Sequence, residues 1–216
     1  MRKRIYASCL FILGLVPFVS GQNSGSGWTS LFNGRDMTGW EHVGEGNFVV
    51  EDGLLKTQGG MGLLWYTTRK LKDEVLRVEY RNVDGSNAGV FIRIPEQPTE
   101  PWMPVHRGYE VQIEDRLEDS SQITGVLYSL TEAMARPSRP GEWNVLEIFL
   151  DGERTVVTVN GVLVTYFREG DEVLPREATW EPERGPRASE GYIGLQNHSE
   201  EDEVYFRSVS VRPLGR

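Results

Sequence analysis

Short apolar–polar alternations closed by Asp-Gly and Asn-Gly pairs dominate this chain and leave little room for anything but an antiparallel β architecture. "NFVV" runs into Asp52-Gly53, "EVLRVEYRNV" into Asp84-Gly85, "WNVLEIFL" into Asp151-Gly152, and "RTVVTV" into Asn160-Gly161 before "VLVTYF". A two-residue hairpin turn needs positive φ at both positions, which glycine adopts freely and which Asn and Asp tolerate. Helical patterning is nearly absent and no repeat of fixed period is visible. About a dozen candidate strands at short spacing predict an all-β fold, an antiparallel sandwich or jelly roll.

Two segments break the rhythm. "IPEQPTEPWMPVHRG", from Ile94 to Gly108, carries four prolines and cannot pair as a central strand. "REGDEVLPREATWEPERGPRASEG", from Arg168 to Gly191, is long and charged. Each holds a tryptophan, Trp102 and Trp180, so both are read as ordered loops walling a groove, with pinning of the loop to the core as the plainer role.

The first residues have the layout of an export signal: Arg2, Lys3 and Arg4, an apolar run from Ile5 to Val19, then small residues, with cleavage expected after Gly21. That run is about 15 residues, short of the roughly 20 that span a bilayer as a helix. Residues 1–21 are thus expected to be a signal peptide, 22–27 a flexible linker and 28–216 one domain of an exported, periplasmic or extracellular protein. Cys9, the only cysteine, goes with the signal, so no disulfide can form and the core must supply stability. About 190 residues suffice for that. Removing three of 23 basic residues leaves 20 against 32 acidic ones, a formal charge of −12. Such a surface disfavours nucleic acid or an anionic membrane and suits a neutral small molecule; no membrane span and no partner protein are evident.

Period-two arithmetic sorts the faces of three strands. In "GYEVQIED", Tyr109, Val111 and Ile113 share one face while Glu110, Gln112 and Glu114 share the other. In "NAGVFIRI", the apolar Ala88, Val90, Ile92 and Ile94 leave Asn87, Gly89, Phe91 and Arg93 opposite. In "GYIGLQNHS", Ile193 and Leu195 face the core and Gly194, Gln196 and His198 face away. In "TGVLYSL", the alternation is ambiguous between Tyr128 and Ser129. Amides, an arginine and a histidine hold fixed hydrogen bonds where a solvated face would carry Lys, Thr and Ser, and the glycines leave room above the sheet. Such a lining, with Tyr109, Phe91, Trp65 or Trp102 to stack on a ring, suits the hydroxyl groups of a sugar.

The catalytic schemes usual for sugars and acyl groups are poorly supported. Glu110 and Glu114 lie roughly 13 Å apart along a strand, against the about 5 Å or 6.5–9.5 Å of a glycosidase carboxylate pair. The strand resembles the E-x-D-x-x-E strand of laminarinase-type glucanases, but Gln112 replaces the Asp and Asp115 falls where the second Glu would be. No G-x-S-x-G elbow, zinc spacing or phosphate loop is present; His42, His106 and His198 stand apart in sequence.

"GWTSLFNGRDMTGWE", "FVVEDGLLKT", "NAGVFIRIPE", "GYEVQIED", "TGVLYSL", "GEWNVLEI", "VNGVLV" and "GYIGLQNHS" together, in this order from Gly27 to Leu214, resemble the 3-keto-disaccharide hydrolase family. The resemblance implies a concanavalin A-like lectin/glucanase jelly roll and an enzyme cleaving glycosides already oxidised at C3. Its chemistry would be proton abstraction at C2, β-elimination of the C1 substituent, and hydration. On the matching positions, Glu110 and His198 would transfer protons and Arg93 would stabilise the enolate. Gln112, Gln196, Asn87, Tyr109, Tyr128 and Trp102 would bind the sugar. No cofactor is certain; a divalent metal held by groups such as Glu110 and His198 would be an alternative electrophile. A non-catalytic lectin-like carbohydrate-binding module is the competing reading, and a structural or adhesive domain a weaker third.

Overall fold

A computed structural model describes residues 27–215; the expected signal peptide and all but the last residue of the expected linker lie outside them. The strands are β1 (Thr29–Ser30), β2 (Trp40–Gly44), β3 (Asn47–Glu51), β4 (Leu54–Gln58), β5 (Gly62–Tyr66), β6 (Glu74–Asn82), β7 (Ala88–Ile94), β8 (Tyr109–Ile113), β9 (Asn144–Asp151), β10 (Arg154–Val159), β11 (Val162–Arg168), β12 (Tyr192–Asn197) and β13 (Val204–Pro213). One short helix, α1 (Met103–Arg107), precedes β8. The larger sheet runs β11-β10-β9-β6-β13-β4-β3, with β1 paired to β13; the smaller runs β2-β5-β12-β7-β8, and every pairing is antiparallel. The expected jelly-roll sandwich of two antiparallel sheets is what forms.

Turn chemistry closes the hairpins as the sequence predicts. Asp52-Gly53 links β3 to β4 and Asn160-Gly161 links β10 to β11, each with positive φ at both residues. Between the sheets lies one apolar core in which Val78 and Tyr80 of β6, Leu146 and Ile148 of β9 and Phe206 of β13 meet Val90 and Ile92 of β7, Val111 of β8 and Leu195 of β12. Among the described residues no helix is long and apolar enough to cross a membrane.

The outer face of the smaller sheet is divided. Half of it is apolar: Leu63, Trp65, Phe91 and Ile94 are covered by Met103 and Val105 of α1. This helix sits in the proline-rich segment, where Pro104 falls in the first turn and its missing N–H leaves no helical bond unmade. Trp65 and Phe91 are therefore buried beneath α1 and form no open stacking platform. The other half of the face is polar.

β7 departs from simple alternation. Tyr192 pairs with Ile94 and Gly194 with Phe91, so two residues of β7 oppose the single Ile193. This bulge places Arg93 in the left-handed region at φ 54° and inverts the faces beyond it. Ile94 joins the outer apolar patch, and Arg93 turns in between the sheets, only 1% exposed. Gly191 permits the bulge, since a Cβ there would lie 2.3 Å from the Arg93 carbonyl carbon.

Candidate active site

The polar half of the outer face is the floor of a cavity of about 200 Å³. Alternation along β8 sends Tyr109, Val111 and Ile113 into the core and points Glu110 and Gln112 to the cavity. Asn87, just before β7, and Gln196 and His198, on and after β12, arrive on the same floor because β12, β7 and β8 are consecutive neighbours. Tyr128 joins from a segment running beside β8, where its N–H donates to the Glu110 carbonyl and the Gly125 N–H to the Gln112 carbonyl. Trp102 and Trp180 stand on the walls with Met61, Val105 and Gln122.

Seven of the nine residues expected at the site thus meet, and two do not. Arg93 is withdrawn by its bulge: its guanidinium donates to the carbonyls of Ala188, Gly152 and Arg154 and to Thr155 Oγ1, so it ties β7 to the β9–β10 hairpin and never reaches the cavity. Tyr109 faces the core, packs edge-on against Phe167 and donates its hydroxyl to Glu169. It shares the strand face of Val111 and cannot stack on a ligand lying over Glu110.

Glu110 is the unusual group. Burial takes its carboxyl out of water and pushes its pKa up to about 8, against smaller opposing effects of the His198 charge and a hydrogen bond from Gln196. Its place is made by Gly89 on the neighbouring strand, where a Cβ would lie 2.5 Å from Oε1. Around it, Asn87 Oδ1, Gln112 Oε1 and Gln196 Oε1 are buried with no hydrogen-bond partner. The amides of these three residues line the cavity, and amides are groups that hydrogen-bond the hydroxyls of a sugar.

His198 is held from behind. Its Nδ1 lies 2.8 Å from Asp202 Oδ2, which leaves Nε2 to the cavity. Asp202 also accepts bonds from Ser199 Oγ, the Asn87 N–H and Arg116 Nη2, and Arg116 in turn pairs with Glu114. Burial opposes the charge on Asp202, but these bonds outweigh it and hold the carboxyl far below its ordinary range. The bond to Asp202 raises the pKa of His198 against its own desolvation, with help from the charges of Glu110 and Glu114. Asp202 and Arg116 were not among the expected site residues. For Asp202 the spacing of four in "HSEED" is the only trace in the sequence, and in a turn that spacing implies no particular contact; Arg116 leaves none.

The ion pair with Arg116 occupies Glu114, so Glu110 is the carboxyl left to the cavity. Among the described residues no three His, Cys, Asp or Glu side chains gather as a metal-binding group. Glu110 and His198 Nε2 are the cavity groups that would hold a divalent ion, and the bond from His198 Nδ1 to Asp202 is the backing that a metal-bound histidine commonly has.

Solved structures share this architecture. A Parabacteroides distasonis protein provisionally described as a glycosyl hydrolase superposes with a TM-score of 0.72 at 25% identity, over 88% of this chain and 94% of that one. The carbohydrate-binding module CBM66 of Bacillus subtilis gives 0.56 at 15% identity, over 81% and 95%. A Bacillus subtilis protein with a galectin-like fold gives 0.59 at 12%, over 86% and 94%. The last two likenesses concern the fold alone. No functionally curated protein matches the chain. The sequence profile of the 3-keto-alpha-glucoside-1,2-lyase-like domain matches residues 27–212, and the chain belongs to that family.

Proposed function

We propose that the protein is an exported enzyme that cleaves the glycosidic bond of 3-keto-glucosides, including 3-keto-disaccharides, by elimination and hydration. The carrying observation is one desolvated carboxyl, Glu110, beside an imidazole kept basic by Asp202 and three unpartnered amide acceptors. A ketone at C3 acidifies the C2 hydrogen. Glu110, as carboxylate, takes that proton, and the C2–H electron pair becomes the C2=C3 enolate with its charge on the C3 oxygen. His198 in its protonated form faces that charge, the role the sequence assigned to Arg93. Collapse of the enolate breaks the bond between C1 and its oxygen substituent. The leaving oxygen takes a proton from Glu110 or His198, leaving a C1=C2 enone. Water then adds its hydroxyl to C1 and a proton to C2, which completes net hydrolysis. One base and one electrophile suffice, and Glu110 and His198 stand on the cavity floor for those two roles.

Raised pKa values serve both roles. A carboxylate with its pKa near 8 is a stronger base than one near 4, and an imidazole raised above its ordinary value keeps its proton to higher pH than a free one. The leader-like residues 1–21 support export. A carbohydrate-binding module shares the fold and would use the same amides, but it has no need of a desolvated carboxyl.

The test is turnover of a 3-keto-glucoside beside its unoxidised parent, with wild type, Glu110→Gln and His198→Ala. Release of the C1 substituent from the keto compound alone, reduced at least a hundredfold in Glu110→Gln, is the expected result. Binding of sugar without turnover would replace the enzyme with the binding module.

A further inference from the structure

The cavity is small beside the roughly 300–1,000 Å³ of typical ligand sites, and about 200 Å³ accommodates one pyranose ring. On the elimination reading, on which this inference rests, the oxidised ring must occupy the floor, because Glu110 is there. The C1 substituent must then point to the mouth. Two indoles stand there, Trp102 at 43% and Trp180 at 61% exposure, both lining the cavity and both far more open than its floor.

They come from distant parts of the chain, yet their loops are joined. The Arg187 guanidinium donates to the carbonyls of His106 and Gly108, and the Glu183 N–H donates to His106. The His106 ring lies stacked along Trp102, with centroids 6.3 Å apart and planes at 25°. The Trp180 loop is braced on its other side by Arg184, which donates to the carbonyls of Leu174, Pro175 and Ser129. Two large exposed apolar side chains held in a fixed frame indicate a contact surface; loops serving only as cover would have no use for the exposure.

We infer that Trp102 and Trp180 form the subsite for the C1 substituent and select a ring with a flat apolar face, a second pyranose or a phenolic group, over a small alkyl group. Neither tryptophan touches the reacting atoms; they act on specificity by stacking.

The experiment measures kcat and KM for methyl, phenyl and glucosyl 3-keto-glucosides with wild type, Trp102→Ala, Trp180→Ala and the two Trp→Phe variants. Each alanine variant should lose about tenfold in kcat/KM on the phenyl compound, the glucosyl compound or both, an effect of about 1.4 kcal/mol. The loss on the methyl compound should be several-fold smaller, and phenylalanine should restore most of the loss on the others, since a stacked ring recovers much of the contact. Which compound responds tells a sugar from a phenolic ring. An equal loss on the methyl compound, or none on any, overturns the subsite. If wild type cleaves none of the three, the elimination reading fails separately. The subsite is then judged by direct binding of the same compounds, where equal affinity for methyl, phenyl and glucosyl derivatives would overturn it.

Discussion

Replacing Gly89 with alanine should remove most of the activity without replacing any group that does chemistry. Gly89 lies on β7 opposite Gln112, and the Glu110 side chain folds over it. Its φ lies outside the left-handed region, so alanine brings no backbone strain, and the effect is that of one methyl group. That Cβ would stand 2.5 Å from Glu110 Oε1, 2.7 Å from Cγ and 2.9 Å from Cδ, whereas ordinary contact begins at 3.4 Å. To move Oε1 from 2.5 to 3.4 Å, the carboxyl must shift by about 0.9 Å. A displacement of about 1 Å from the reactive geometry costs on the order of 10²-fold in rate. The expected result is therefore kcat down about a hundredfold, or about 2.7 kcal/mol of transition-state stabilisation, with KM for the 3-keto-glucoside changed little. Overpacking of this kind destabilises by about 1–3 kcal/mol, so the thermal midpoint is followed in parallel and kcat is expressed per folded molecule. A folded Gly89→Ala protein with wild-type kcat would show that the position of Glu110 is immaterial, and its role as base would fall.

Four further outcomes follow from the same geometry. The base must be ionised, so kcat/KM should climb with pH through a limb near 8, where burial has pushed Glu110; a limb near 4 would mean the carboxyl is solvated. Glu110→Gln should also raise the thermal midpoint at alkaline pH. A carboxyl raised in the folded state contributes its full stability below its unfolded pKa and loses it as pH rises toward about 8, and the amide has no charge to bury. Asp202→Asn removes the largest cause of the raised His198 pKa, so that value, followed by NMR of the imidazole, should fall, and kcat should drop about tenfold or more while KM changes less. An unchanged His198 titration would refute the coupling. Arg93→Met orphans the carbonyls of Gly152, Arg154 and Ala188 and should destabilise by about 2–4 kcal/mol in chemical denaturation, with kcat per folded molecule intact. A selective loss of kcat would restore Arg93 to the site.

What was legible in the sequence followed from two local rules. Positive-φ turn pairs marked the hairpins at Asp52-Gly53 and Asn160-Gly161, and period-two alternation placed Glu110, Gln112, Gln196, His198 and Asn87 on one face. Both rules are properties of a strand and its turn, independent of what lies across the fold. Arg93 failed for a reason outside that logic. The extra residue in β7 becomes visible only against its partner β12, and one inserted residue reverses every side chain beyond it. Ile94 gave the false support: it continued the apolar face in sequence but in space it packs under α1 with Phe91. Tyr109 was misplaced by chemical type, since its ring suggested stacking although its own alternation put it with Val111. The Asp202–Arg116–Glu114 chain depends on contacts across 86 residues, which no local pattern can carry.

The division of labour among the carboxylates is what separates the two functions this fold can host. β8 and its extension carry Glu110 and Glu114 on one face, an arrangement that invites a two-carboxylate hydrolase. The structure cancels the pair by environment: Glu114 is held by two guanidinium bonds, and Glu110 is left without a cation in hydrogen-bond contact. A fixed carboxylate bound to arginine is a poor nucleophile, whereas a desolvated one is a better base. The same Arg116 reaches Asp202 and, through it, fixes His198. In the proposed elimination, one guanidinium thus takes the second carboxylate out of play and orients the electrophile. A binding module would be served by the three amides alone, and neither the isolation of Glu110 nor the anchoring of His198 would improve its grip on a neutral sugar. Both favour the proposed reaction, proton abstraction next to a ketone.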